Sequence, residues 1–401
     1  MRCPLLIATL RDPACLATLS LADWDRLLPQ ARAAGLLARL AVRADDLGLT
    51  PQLPAAVQAH LTAARTLAER QRRAVVWEAR KIDAALAATG LPVLLLKGAA
   101  YVLGRLPPAR GRLFSNIDIL VPKAGLGHAE AQLMLHGWHA THHDAYDQRY
   151  YRQWMHELPP MTHIRRGSHL DVHHNLLPET ARLRTSPERV IADSTPIPGH
   201  RCLRLPRLED LVLHSATHRF FEGEWQMGLR DLTDIDALLR LGAARPGWWD
   251  DLLARARELN LTYPLALALR YTRRLLATPV PDAVASKLGL TRLSPATLNE
   301  RRHGHAALRG APADPGSVGR QSLADIPERP EAKTVRPGRL GWLWRDALFL
   351  RGLAATHADC ALPGTHLATF VLYVRAHWLR MPLHLLLPHL LYKATRSRHS
   401  Q

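Results

Sequence analysis

Acidic residues are in deficit in this 401-residue chain: 35 Asp and Glu stand against 53 Lys and Arg, a formal charge of +18. That balance favours anionic partners, whether nucleoside triphosphates, nucleic acid or an acidic membrane surface. An arginine- and alanine-rich composition is also what a GC-rich genome produces, so charge alone selects none of them. Cysteine is scarce. Cys3, Cys15, Cys202 and Cys360 lie far apart with no CxxC pair, which fits a reducing cytoplasm and argues against a structural zinc site. The 22 histidines include no HExxH set, the arrangement zinc catalysis on a helix would need. No nucleic-acid-binding motif is present either, so a nucleic-acid binder rests on charge alone. The first residues lack a long apolar core ending in a cleavage site, and no signal peptide is expected.

What is present concentrates between Leu94 and Val121, LLLKGAAYVLGRLPPARGRLFSNIDILV. An apolar run ends in Lys97-Gly98, a proline- and arginine-rich turn follows, and a second apolar run carries Asn116 and Asp118. Residues two apart on a strand point to one face, so both side chains are expected in the cleft opened by the Lys97-Gly98 turn. Paired carboxylates at this spacing hold Mg²⁺ against phosphates, because hard cations take oxygen ligands. Here one member of the pair is an amide. Further on, SHLDVHH is read as a strand that turns His169, Asp171 and His173 to one face, paired through an Arg165-Arg166-Gly167 turn with a strand from Glu157 to Ile164.

Taken together, LLKGAA, GRLFSNIDILV, the HELPPM block, LDVHHNL and LHSATH…GLRDLTDIDALL resemble the polymerase-beta-like nucleotidyltransferase superfamily. The closer resemblance is to a bacterial family of poorly characterised nucleotidyltransferases. It covers roughly residues 91–239, with the blocks in the family's order. It implies an α/β (α+β) fold in which a small mixed sheet is flanked by helical segments. It also implies Mg²⁺ or Mn²⁺ held by Asp118 and Asp171, with Asn116 in the weakened third position. Lys97, Gly98 and Ala99 would form the phosphate turn, and Arg110 and Arg112 would reach phosphate oxygens. Two departures stand out: Ala99 where the superfamily often has Ser or Gly, and Asn116 where it has its first acid. A neutral amide removes one negative charge, so metal affinity should fall.

The implied reaction moves a nucleoside monophosphate from an NTP, ATP among the candidates, to an acceptor. That acceptor is open among a small molecule, a protein and an RNA. The competing reading is a catalytically inactive scaffold or regulatory module that keeps the pocket. Cytoplasmic location is expected, with peripheral contact at the inner membrane surface left open.

The chain divides into a helical region (1–90), the transferase-like core (91–205), a helical closing domain (206–300), a linker (301–340) and an apolar, basic tail (341–401). Helix periodicity marks the first region, stopped by Gly90-Leu91-Pro92. Helices are also expected from Gly127 to Trp138, Leu211 to Phe220 and Met227 to Leu241, the last two separated by the Glu222-Gly223-Glu224 loop. Asp231 and Asp234 are either ion-paired or presented to substrate. His142-His143-Asp144, His173-His174 and the i, i+4 pair His214 and His218 are ligand candidates. The resemblance sets the last pair on the acceptor side of the cleft. In the tail, Arg375, His377, Arg380 and Pro382 break the apolar run too often for a spanning helix. An interfacial helix and a buried helix completing the fold both fit.

Overall fold

The computed structural model describes residues 4–141, 144–221, 225–290, 339–354, 357–382 and 384–386. The His142-His143 pair, the Glu222-Gly223-Glu224 loop, most of the predicted linker and the chain's basic end lie outside them. Four helices open the chain: α1 (Pro4–Arg11), α2 (Leu21–Ala33), α3 (Leu37–Asp46) and the long α4 (Ala55–Leu86). Ser20 and Asp23 start α2 with a reciprocal capping box, which satisfies two otherwise orphaned N–H donors. Gly90, at φ 66°, turns the chain out of the helical region, where the sequence places the stop.

The sheet follows. Its strands are β1 (Val93–Leu96), β2 (Ile117–Leu120), β3 (Trp138–Ala140), β4 (Met161–His163), β5 (His169–His173), β6 (Thr195–Pro196) and β7 (Leu203–Leu205), in the order β3-β4-β5-β2-β1-β7-β6. β1 and β2 run antiparallel, whereas β2–β5 and β1–β7 run parallel. This is the mixed sheet that was expected. Every residue of β1 and β2 is buried, which explains why they are apolar throughout except at Asp118: a strand covered on both faces has no solvent side to alternate with. Between the strands lie α5 (Lys97–Leu103), α6 (Leu126–Leu135), α7 (Ala145–Trp154) and α8 (Pro187–Ala192).

Three boundaries differ from expectation. β2 begins at Ile117, so Asn116 immediately precedes the strand instead of lying on it. α6 stops at Leu135, and Gly137 at φ 87° turns the chain so that Trp138 enters β3. The predicted strand from Glu157 shortens to Met161–His163, because Pro159-Pro160 supplies no N–H to a ladder. A consequence for register follows. Continuing the Met161↔Leu170 and Thr162↔His169 pairing would set Glu157 opposite His174, but the observed bridge joins Glu157 to His173. A slip of one residue exchanges faces, and here it turns Glu157 toward His173.

The remaining helices are α9 (Leu208–Phe221), α10 (Gly228–Ala243), α11 (Trp248–Glu258), α12 (Thr262–Leu276), α13 (Asp282–Lys287), α14 (Arg339–Gly352) and α15 (Thr365–Arg380). One apolar core runs from α4 through the sheet into α9, α10 and α12 and on to Phe349 and Leu372 of the tail. The tail therefore completes the fold. Asp346 of α14 accepts from Arg270 at 2.8 and 2.6 Å and from the Tyr271 hydroxyl at 3.1 Å. Phe349 packs on Phe220, Trp225 and Tyr271. Among the described residues no helix is long and apolar enough to cross a membrane. Cys15 and Cys202 are free thiols, whereas the fully buried Cys360 is disulfide-bonded, a bond that a reading of scattered reduced cysteines does not include.

Candidate active site

The site forms where the ends of β1, β2 and β5 meet. Leu96 of β1 pairs with Asp118 of β2, and Asp118 pairs with Asp171 of the parallel β5. Neighbouring residues in a ladder present their side chains to the same face, so the two carboxylates project side by side. His173, two residues beyond Asp171, shares that face, and its Nε2 lies 3.3 Å from Asp118 Oδ1. The expected alternation of His169, Asp171 and His173 is met: Asp171 is half-buried and His173 buried, while His169 is exposed.

Each carboxylate has its own hydrogen-bond donor, charged for Asp118 and neutral for Asp171. Lys97 Nζ donates to Asp118 Oδ1 at 2.9 Å. Asn116 Nδ2 donates to Asp171 Oδ2 at 2.6 Å. The amide therefore uses its N–H on the neighbouring acid, and its carbonyl oxygen accepts from the Ser115 hydroxyl at 3.0 Å. Lys97 sits at φ 43°, the left-handed region that costs a side-chain-bearing residue energy. This strain at the β1–α5 junction turns the ammonium onto Asp118.

Burial alone would push Asp118 toward the neutral acid, but the Lys97 charge and the His173 hydrogen bond outweigh it and hold the carboxyl well below its ordinary range. Asp171 moves the other way, raised by burial and then by the adjacent Asp118 charge. Burial opposes charge on His173, yet Glu157 and Asp118 raise it. His214 of α9 is driven well down by burial and by Lys97. Two adjacent carboxylates pushed in opposite directions mark a place that favours added positive charge.

A raised acid costs stability when ionised. The penalty from Asp171 is absent below its unfolded value and grows as pH rises through the window up to its folded value. Asp171→Asn should therefore raise the denaturation midpoint at pH 7 while keeping the bond from Asn116. The gain should shrink as pH falls through the same window. Urea titrations at pH 7 and pH 4 read this directly, and a lower midpoint at pH 7 would contradict it.

The remaining sequence candidates separate into two groups. Gly98, Ala99 and Arg112 adjoin the Lys97 turn. A Cβ at Gly98 would come within 2.7 Å of Arg112 Nη1 and 2.8 Å of Phe114 Cδ1, so glycine here admits the Arg112 guanidinium against the turn. Gly98→Ala should cost about 1–3 kcal/mol by overpacking and weaken any activity that depends on Lys97. Parallel denaturation and activity assays measure both effects. Ala99 is buried and offers no side-chain contact beyond packing. Arg112 donates to Asp234 at 2.8 Å, and Asp231 is taken by Arg219 and Arg230, so the ion-paired reading of that helix face holds. Arg110 is bound to Asp46 at 2.9 and 2.6 Å. With Arg65, Arg70, Arg72 and Arg73 it lines a groove of about 680 Å³ that none of the site carboxylates enters.

Glu157 and His156 were not singled out as site residues by the sequence. Their ligand atoms and that of His173 lie within 4.8 Å of one another. The only local signal was the dipeptide His156-Glu157 ahead of two prolines. His214 and His218 lie alongside, with ring centroids 6.4 Å from His173 to His214 and 6.3 Å from His214 to His218.

The geometry fits an oxygen-ligated cation. Asp118 and Asp171 are adjacent and buried or half-buried, and Lys97 already places positive charge against Asp118. Comparison with curated proteins and with solved structures gives no significant match. Residues 20–277, well over half of the chain, match a family described as uncharacterised nucleotidyltransferase. They include the whole of the Lys97–Asn116–Asp118–Asp171 site, and the chain belongs to that family.

Proposed function

We propose that the chain transfers a nucleoside monophosphate from an NTP to an acceptor hydroxyl or phosphate, with Mg²⁺ or Mn²⁺ held by Asp118 and Asp171. The observation that carries this reading is the in-register pairing of Asp118 with Asp171 on parallel strands, beside the Lys97 ammonium. When bound, the metal would neutralise phosphate charge and orient the α-phosphorus. In the reaction the acceptor oxygen forms a bond to the α-phosphorus, the α–β phosphoanhydride bond breaks, and pyrophosphate leaves with its electron pair.

The chain's own residues divide the remaining work. Lys97 is the mobile charge: the ammonium that now neutralises Asp118 can turn to a phosphate oxygen when a cation takes its place. His173 orients the Asp118 carboxylate. Asp171, raised by burial and by the adjacent Asp118 charge, is the base best matched to taking the acceptor's proton. Asn116 fixes Asp171 and offers a neutral carbonyl oxygen where the superfamily has charge.

A second reading is supported by the donors themselves. Lys97 on Asp118 and Asn116 on Asp171 leave both acids satisfied without a cation, as in a module that keeps the fold and binds without turnover. Labelled NTP, Mg²⁺ or Mn²⁺ and a mixture of small molecules, RNA and protein acceptors distinguish the two. Label transferred by the native chain and lost in Asp171→Asn supports the enzyme. Label transferred only by Asn116→Asp supports a site disabled at that position. Silence from all three folded proteins overturns the transfer reading.

A further inference from the structure

Behind the carboxylate pair, the bridge from Glu157 to His173 brings together two imidazoles and a carboxylate. His156, Glu157 and His173 each offer one ligand atom, all within 4.8 Å of one another. His173 Nδ1 and Glu157 Oε2 are 3.3 Å apart, and that buried nitrogen makes no hydrogen bond. Two ligand atoms held about 2.1 Å from a zinc ion at a tetrahedral angle stand about 3.4 Å apart. The spacing is that of two ligands sharing a cation.

The other face of the ring agrees. His173 Nε2 points at Asp118 Oδ1 at 3.3 Å. A metal-bound imidazole almost always gives its second N–H to a carboxylate, which fixes the tautomer and strengthens the ligand. Burial is uneven in a useful way: His156 and His173 are 4% and 2% exposed, while the Glu157 side chain is 18% exposed. Two ligands are shielded and the third is partly open to solvent. The backbone produces this arrangement through the one-residue slip across Pro159-Pro160, without which Glu157 would face His174.

We propose that His156, Glu157 and His173 form a site for one divalent cation of the zinc class, separate from the oxygen site at Asp118 and Asp171. Two nitrogen donors and one carboxylate suit zinc, whereas magnesium takes oxygen ligands and keeps its waters. Asp118 joins the two sites, because one of its oxygens receives the His173 ring while the same side chain faces Asp171. The inference does not rest on nucleotidyl transfer, and a chain without transferase activity would still bind zinc here.

The test is equilibrium dialysis of the full chain against zinc, followed by metal analysis, with cobalt substitution to read coordination from visible absorption. The native chain should retain one equivalent. Glu157→Gln and His156→Ala should each weaken binding by more than about 100-fold, beyond the usual effect of losing an outer-shell partner. Asp171→Asn, which removes an acid of the magnesium site, should change it by no more than a few fold. Circular dichroism confirms that the variants fold. X-ray absorption of the zinc-loaded native chain gives an answer independent of any variant, and it should show two imidazole nitrogens in the first coordination sphere. No retained zinc, equal retention in all variants, loss in Asp171→Asn matching that in Glu157→Gln, or a coordination sphere without imidazole would each overturn the proposal.

Discussion

Asp118→Asn should lower nucleotidyl transfer by a factor on the order of 10³, since a metal's charge stabilisation of several kcal/mol corresponds to a tenfold rate loss for each ~1.4 kcal/mol. Asp118 is 4% exposed and is the residue on which Lys97 and His173 converge. The substitution keeps the shape and removes the charge. It also leaves the Lys97 ammonium without its carboxylate, so a stability loss accompanies the activity loss.

The sign of the pH dependence separates the two acids. Asp118 is depressed, so its contribution to stability is complete above the ordinary carboxylate range and is lost as pH falls through its lower folded value. Asp171 is raised by burial and by the Asp118 charge, so the acid limb of transfer should follow Asp171. In Asp118→Asn the neighbouring charge that helps raise Asp171 is gone. Any residual activity should therefore show its acid limb at lower pH. Measuring kcat/KM from pH 4 to 8 for the native chain and the variant reads both effects, and an unshifted limb would disconnect Asp171 from the chemistry.

Asp234→Ala should lower folding stability by about 3–5 kcal/mol, the usual effect of removing one partner from a buried ion pair. Asp234, with its side chain 3% exposed, accepts from Arg39 at 2.7 Å and from Arg112 at 2.8 Å. Arg39 also reaches the Pro108 carbonyl at 2.7 Å and the Thr233 hydroxyl. This cluster ties α3, the loop before β2 and α10 together. Without the carboxylate, Arg39 and Arg112 both lose their directly bonded acid in the interior, and Arg112 keeps the charge of the nearby Asp231.

Glu69→Ala is the natural contrast. The Arg72 hydrogen bond draws the Glu69 carboxyl down to about 2, yet its side chain is 40% exposed. Water screens that pair, and the loss should stay under about 1 kcal/mol. Urea denaturation of the three proteins measures both values. A loss below about 1 kcal/mol in Asp234→Ala would mean that the cluster relaxes or hydrates. Because Arg112 packs against Gly98, Asp234→Ala should also loosen the Lys97 turn and slow transfer.

The site's vocabulary was legible in one dimension because it is local. Lys97-Gly98 ends an apolar run, Asn116 and Asp118 flank the start of the next, and Asp171 alternates with His169 and His173. The periods of helix and strand also gave most of the elements, as in α9 and α10, whose ends differ from the predicted helices by only a few residues. Errors fell where a backbone effect outweighed periodicity. The Pro159-Pro160 pair cut back the strand expected from Glu157, and Gly137 ended a helix whose apolar pattern continued to Trp138.

The partners of the site residues were decided by tertiary structure alone. Lys97 meets Asp118 across 21 residues, Asn116 meets Asp171 across 55, and Arg112 meets Asp234 across 122. In sequence, Asn116 is a missing acid and Arg112 a free cation suited to phosphate. In the fold, the amide caps the neighbouring carboxylate and the guanidinium is bound to α10. Local pattern records which face a residue occupies, because that follows from a period of 2 or 3.6. It does not record which distant charge will share that face, because that depends on strand order, on register and on a one-residue slip at two prolines.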